Sequence, residues 1–390
     1  MSKRPQIPTT KRIQICHVQL LPLLSGVQRA MLEIIFRLDP VVYEPVVLCK
    51  EEGDLTTVLA AQDIEYVTMP DLVRAISPWH DLKSWITLKR FFSERHFDIV
   101  HTHSSKTGIL GRWAAYSSNV PVIIHTVQGL PFHEFSPLLQ KQIYGWAERK
   151  AGMISSKVIF VNREERELAI SQGIIEAEKA VTIFNGVDLE KVKQFNNKVC
   201  RDQFRQKWGI SEDEFIIGYV GRLWEQKDPE TLLRTIEICA DLPVRFLIVG
   251  DGPYKSHFEQ NFRNNHRVLM TGWLDDPMAM YPAIDVLLLP SLWEGLSVTL
   301  IEAMAFAKPL IASNIKGNRE CVWQGENGFL CAPRDPHSFR YAIASLVEDR
   351  SLYNRMSLSG RQKAVTFFDA EKNSRQIIAL YEQQLAALRS

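Results

Sequence analysis

The stretch Leu289-Pro-Ser-Leu-Trp-Glu294-Gly-Leu-Ser297-Val-Thr-Leu-Ile-Glu302-Ala-Met-Ala-Phe-Ala-Lys-Pro-Leu310 decides the reading of this chain. An apolar run over 285–289 reads as a buried strand that stops at Pro290-Ser291. A loop containing Gly295 follows, and a helix is expected to begin near Ser297. A second apolar run over 309–312 reads as the next strand. Strand, helix and strand in close succession make a parallel crossover unit.

The expected helix is apolar nearly all round, so it belongs inside the protein. Glu302 is the one charged residue on its body. Burying an unpaired carboxylate costs several kcal/mol, so Glu302 needs partners. A buried salt bridge or cap contact would serve, and so would the two hydroxyls of a sugar diol. The free N–H groups at the helix start, with the helix dipole, suit an anion such as a phosphate. Glu294 precedes Glu302 by eight residues, about 12 Å if both were helical. Glycosidase carboxylate pairs lie within about 5–9.5 Å, so the spacing fits two ends of one extended ligand instead.

Outward from this unit the same alternation recurs. Strands are expected at 12–20, 44–48, 64–68, 98–101, 121–126, 157–161 and 180–184, with helical patterns between most of them. The rhythm breaks over 188–214, which is polar and reads as a linker plus a short helix. It restarts with strands at 215–220, 244–249, 267–270, 285–289 and 309–312. The stretch 351–389 reads as helical throughout. The fold class is therefore α/β, with two successive Rossmann-like, doubly wound units. Such sheets hold ligands at the carboxyl ends of their strands, so a cleft between the two is the expected site.

Composition narrows the function classes. The 390 residues carry 46 Lys and Arg against 45 Asp and Glu, a net charge of +1. A nucleic-acid binder would need a basic excess, so that partner is not expected. The six cysteines include no CxxC pair, and zinc-ligand spacing is absent. The polar beginning MSKRPQIPTTKR lacks the apolar run of a signal peptide, and no segment reaches the length of a membrane span. The expectation is a cytoplasmic protein with no metal and no cofactor.

Three further clusters carry chemistry. In Gly218-Tyr-Val-Gly-Arg222-Leu-Trp-Glu-Gln-Lys227-Asp228, two cations follow a strand end and suit a diphosphate clamp. Ile248-Val-Gly-Asp-Gly-Pro253 is a Gly-rich turn, weak alone, and Gly26 after the first strand is similar. The sequence His101-Thr-His103-Ser-Ser-Lys106 and its successor His125-Thr-Val-Gln128-Gly-Leu-Pro-Phe-His133-Glu134 follow neighbouring strands. They offer groups that orient a hydroxyl or take up a proton, or are structural histidines.

Taken in order, these motifs resemble the GT-B glycosyltransferases of the large retaining family 4, also called group 1, of the bacterial surface-polysaccharide type. The glutamate–seven–glutamate pattern Glu294 to Glu302 is the most specific mark. GRLWEQKD, VGDGP, Thr271-Gly-Trp273, Asn185-Gly-Val-Asp188 and Glu326-Asn-Gly-Phe-Leu330 fall in the family's order, and the likeness covers nearly the whole chain. The resemblance implies two Rossmann-like domains facing across a cleft: 1–188 for the acceptor, 189–365 for the nucleotide-sugar donor, and a C-terminal helix, 366–390, returning to the first.

By that resemblance Arg222 and Lys227 bind the diphosphate and Glu302 the ribose. Glu294 sits near the donor sugar, the amides of Gly295, Leu296 and Ser297 meet sugar and phosphate, and Gly26 closes over the donor. His103, Lys106 and His133 are the acceptor candidates. Arg222, Lys227, Glu294, Gln128 and His125 are the catalytic ones. Two departures stand out: Ser25-Gly26 replaces the frequent Gly-Gly, and Gln128 replaces a frequent histidine. Gln128 exchanges hydrogen bonds but cannot act as a base.

The implied activity is metal-independent, retaining transfer from a nucleoside diphosphate sugar to a hydroxyl of a glycan or lipid-linked glycan. UDP is the favoured base by family frequency. The implied setting is bacterial capsule, O-antigen or exopolysaccharide synthesis. A lipid-linked acceptor brings peripheral contact with the inner face of the plasma membrane, for which 136–152 is the candidate, or else that stretch is an ordinary packing helix. A nucleotide-sugar epimerase of the same fold and a non-catalytic sugar-nucleotide-binding homologue are the alternatives. An oxidoreductase ranks last, since no GxGxxG follows the first strand.

Overall fold

The computed structural model describes residues 11–73, 77–132, 136–274 and 276–388. Two parallel sheets form, each from short apolar runs. The first contains β1 (Ile13–Val18), β2 (Tyr43–Cys49), β3 (Glu65–Thr68), β4 (Ile99–His103), β5 (Val122–Val127), β6 (Lys157–Phe160) and β7 (Ala180–Thr182), in the order β3-β2-β1-β4-β5-β6-β7. The second contains β8 (Phe215–Val220), β9 (Val244–Val249), β10 (Val268–Gly272), β11 (Val286–Leu289), β12 (Leu310–Ser313) and β13 (Gly328–Cys331), in the order β10-β9-β8-β11-β12-β13.

Strands β4, β5 and β11 are buried at every residue. Side chains alternate across a strand, so continuous burial means that both faces are covered by helices. Strand order reverses beside β1/β4 in the first sheet and beside β8/β11 in the second. These are the switch points where open parallel sheets hold their ligands. The loops after β8 and β11 carry Arg222, Lys227 and Glu294, so the second sheet presents its candidate groups at that point.

The chain divides into two units. The first runs to Phe160 and adds Leu168–Val181 and the segment from Ser374. The second is Val161–Glu167 with Thr182–Asn373. The sequence reading draws its limits after 188 and after 365, whereas contacts change units at Val181/Thr182 and Asn373/Ser374. The core of the second unit includes Ile217, Leu247, Leu287, Leu300, Ile301 and Met304, each at most 1% exposed. Full burial of such a side chain stabilises by about 1.5–3 kcal/mol, which is what holds the helix Val298–Ala305 against its sheet.

Two elements differ from expectation. Strand β13 was not expected. It is a four-residue edge strand, buried at its ends and half-buried between, that begins with glycine, and such a run has no period to read. The stretch 351–389, expected to be helical throughout with a C-terminal helix over 366–390, forms two helices, Arg350–Phe367 and Ala370–Ala387, with a break at 368–369. Between them Asp369 bridges Val187, with Val187 N donating to Phe368 O at 2.8 Å and Ala370 N to Val187 O at 3.1 Å. A Cβ on Gly186 would lie 2.4 Å from Ala370 N, so the glycine of Asn185-Gly-Val-Asp188 admits this pairing.

Candidate functional site

The loop after β8 is shaped by the turn after β9. Gly250 and Gly252 adopt φ of +145° and +157°, and a Cβ there would sit 2.0 Å from Gly221 O and 2.4 Å from Leu223 O. Only glycine lets the two backbones meet this closely. Leu223 N then donates to Asp251 O at 2.9 Å. The VGDGP turn is thus the bed on which the cationic loop rests. Asp228, at φ +48°, caps the helix Pro229–Ile238 and ends that loop.

Lys227 and Glu294 form an ion pair, with Nζ against Oε1 and only 15% and 9% of their side chains exposed. Ser291 Oγ donates to the same carboxylate oxygen at 2.7 Å. Gln226 Nε2 donates to Trp293 O at 2.9 Å, and Leu292 N donates to Gln226 O at 2.8 Å. These bonds knit the loops after β8 and β11 into one surface. Gln226 is a residue the sequence reading missed, because its partners are main-chain groups distant in sequence. Arg222 is exposed, and its guanidinium lies over the Trp224 ring at 5.0 Å. Burial and the nearby Glu294 carboxylate push the Tyr219 hydroxyl well above its usual pKa. Tyr219 therefore stays neutral and donates to Arg222 O at 3.2 Å.

The helix Val298–Ala305 starts where the sequence predicts, with Ser297 at its N-cap. Glu294 lies in the loop before it, so only Glu302 is on the helix. The main-chain N–H groups of Gly295, Leu296 and Ser297 make no hydrogen bond among the described residues. Ser297 Oγ is buried and equally without one. Three free amides followed by a helix N-terminus form a site for an anion. Glu302 is 7% exposed. Tyr281 OH donates to its Oε2 at 2.5 Å, and the Tyr281 ring stacks on Phe306 at 5.2 Å. A tyrosine hydroxyl, missed in the sequence, therefore orients this carboxylate.

In the first unit Gly26, Lys106 and Gln128 follow β1, β4 and β5, which are neighbours in the sheet. Gly26 opens the helix Gly26–Ile35, with Ser25 at its N-cap. Lys106 pairs with Asp81 at 2.6 Å, and Gln128, half-buried, follows the end of β5. His133 lies outside the described residues. His103 and His125 are 0% and 2% exposed, so neither ring faces solvent. His125 Nδ1 meets Thr102 Oγ1 at 2.9 Å, and His103 Nε2 meets His17 Nδ1 at 3.1 Å. Residues 102 and 103 of one strand point to opposite faces, which separates these two histidines.

His17, His101 and His103 form a buried cluster, and His17 was missed because it sits inside an apolar strand. His101 meets Tyr381 OH at 2.5 Å and Thr126 Oγ1 at 2.7 Å. Burial holds His17 down at about 3. Burial and neighbouring imidazoles hold His101 and His103 well below the ordinary 6.5, and burial with the Arg112 guanidinium does so for His125. One ring nitrogen from each of the three lies within 4.8 Å of the others, and among the described residues this is the group whose spacing could suit a metal ion. Both nitrogens of His101 are already engaged, so a metal bound through it would displace one of these bonds.

Comparison with known proteins also divides the chain in two. Residues 24–191 match the family model Glycosyltransferase Family 4, and residues 201–363 match Glycosyl transferases group 1. An Escherichia coli protein named UDP-Gal:alpha-D-GlcNAc-diphosphoundecaprenol alpha-1,3-galactosyltransferase is 38% identical over 381 residues, which is 96% of this chain and 97% of that one. The capsular polysaccharide biosynthesis glycosyltransferase CapM of Staphylococcus aureus is 25% identical over 323 residues, 80% of this chain and 84% of its own. The crystal structure of Anabaena HepE in complex with UDP and glucose superimposes with a TM-score of 0.81 at 20% identity, over 95% of this chain and 100% of that one. That likeness carries the fold alone. Two family models in order along the chain, and a relative matched almost end to end, establish that this chain belongs to the group 1, family 4 glycosyltransferases and has their GT-B fold.

Proposed function

We propose that the protein transfers galactose from UDP-galactose to a hydroxyl of an N-acetylglucosaminyl diphospholipid, with retention of configuration and without a metal ion, in the synthesis of a bacterial surface polysaccharide. The observation that carries this reading is the surface joining Lys227, Glu294 and the free amides of Gly295–Ser297. The name of the 38% identical relative supplies donor and acceptor. UDP-galactose is α-linked and that relative forms an alpha-1,3 bond, which supports retention.

The chain's groups divide the work as follows. Glu302 accepts the ribose hydroxyls beside Tyr281. Lys227 and Arg222, with the amides at the helix start, offset the charge that grows on the diphosphate as its bond to the sugar breaks. The acceptor oxygen bonds to the sugar carbon on the same face. Its proton passes to the departing phosphate, so no protein nucleophile or base is required. This agrees with Gln128, which cannot act as one, and with the buried His125.

A lipid-linked acceptor calls for membrane contact. On the helix Leu138–Met153, Leu139, Ile143 and Trp146 recur at helical spacing and are 68%, 54% and 63% exposed, beside exposed Arg149 and Lys150. Such a face suits the surface of an anionic bilayer. No helix of the described residues is long and apolar enough to cross a membrane. The reading places the protein in the cytoplasm, on the inner leaflet.

The test is a transfer assay with purified protein in EDTA, UDP-galactose, and a short-chain N-acetylglucosaminyl diphospholipid. A product one hexose heavier with an α-anomeric signal is expected. Absence of product with UDP-galactose and with other UDP-sugars would overturn the reading.

A further inference from the structure

The amides that receive the donor need something to aim them, and the aiming group comes from a different part of the chain. Asn162 follows β6 and is fully buried. Its Nδ2 donates to Gly295 O and to Lys316 O, each at 3.1 Å, and its Oδ1 accepts from Glu165 N at 2.9 Å. Two carbonyl partners and one N–H partner fix which end of the amide is nitrogen. The two residues lie 133 positions apart in the chain.

The consequence is geometric. In a trans peptide the C=O and the following N–H point in opposite directions, and the described residues contain no cis bond. Asn162 holds Gly295 O, so the Leu296 N–H of the same peptide must point away from Asn162, where it has no partner. The backbone of Glu294 also rests on Gly317, next to the Lys316 carbonyl that Asn162 holds. A Cβ there would lie 2.5 Å from Glu294 O. The Glu294–Leu296 segment is thus held by one side-chain amide and rests on one bare glycine.

We infer that Asn162 is a positioning residue of the donor site, which turns the Gly295–Leu296 peptide so that its N–H faces the donor's diphosphate. This rests on the proposed nucleotide-sugar reading and adds a residue to it. Asn162 touches no substrate and acts only through the peptide it holds.

The variant Asn162→Asp keeps the Oδ1 that caps Glu165 but loses both donors, and sets a carboxylate against two carbonyls. Gly317→Ala pushes the same segment at Glu294 O, so the inference does not hang on one variant folding. Arg319→Ala is the control. It removes the paired contacts with Glu164 at 2.7 Å in the same segment and leaves Gly295 alone. UDP titration and kcat are both read. Asn162→Asp and Gly317→Ala should each weaken UDP binding and lower kcat by about ten- to a hundredfold, with unchanged acceptor KM, while Arg319→Ala retains wild-type values. Wild-type UDP affinity in folded Asn162→Asp would overturn the inference, and so would losses in all three variants that track their melting temperatures. A wild type that binds UDP but transfers no sugar would defeat the proposed function and leave the binding comparison to decide this one.

Discussion

Lys227 and Glu294, 67 residues apart in the chain, meet as an ion pair that joins the loops after β8 and β11. On the proposed reading the ammonium is held in place by this pair before any diphosphate arrives. A diphosphate competes with Glu294 for it, and the carboxylate keeps Ser291 and Gln226 when it lets go.

Lys227→Ala should therefore slow transfer more than it weakens binding. Removing one preorganised stabiliser of developing charge costs about 10²–10³ in kcat. Steady-state kinetics and calorimetry on the same preparation separate the two effects. A variant with wild-type turnover would remove Lys227 from the mechanism.

For Glu302→Ala the order reverses. A hydrogen bond to a charged group contributes about 1.5–3 kcal/mol, so UDP affinity should fall about ten- to a hundredfold. Tyr281 OH loses a partner as well, and the melting temperature should drop by a few degrees, about 1 kcal/mol. Unchanged UDP affinity would place the ribose elsewhere.

Gly252→Ala tests the bed beneath the cationic loop. The added Cβ meets Leu223 O at 2.4 Å in a left-handed backbone, a strain of about 1–3 kcal/mol. The outcome to measure is a lower denaturation midpoint with weaker UDP binding. A fully stable variant with normal binding would show that this turn does not shape the clamp.

The buried histidines make a pH prediction. His17, His101, His103 and His125 are neutral in the fold, with His17 held near 3 against an ordinary 6.5. As pH falls below 6.5 the unfolded chain takes up protons that the folded chain refuses. Stability present above that value is then lost progressively toward 3. Denaturant midpoints at about pH 7.5 and about pH 5 should differ accordingly. Replacing His17 by Gln should flatten part of that slope, and an unchanged slope would contradict the neutral cluster.

Much of this was legible along the chain. The apolar runs read as buried strands, the longer apolar stretch from Ser297 to Phe306 reads as a buried helix, and the ordered motifs place the proposed donor residues within short segments. What escaped was set by tertiary contact. Asn162, Gln226 and Tyr281 look like ordinary polar residues, and their partners are carbonyls or a carboxylate far off in sequence. His17 hides in a strand, β13 is too short to show a period, and the break at Asp369 exists only because Val187 pairs there. His103 and His125, expected at an open strand end, lie on opposite covered faces, since neighbouring strand residues alternate.

The measurement that tests the central claim most directly is calorimetric titration of the protein with UDP, GDP and ADP in EDTA, beside Glu302→Ala. The account predicts selective binding of UDP without a metal, weakened in the variant. Failure to bind any of the three, or UDP binding indifferent to Glu302, would contradict it.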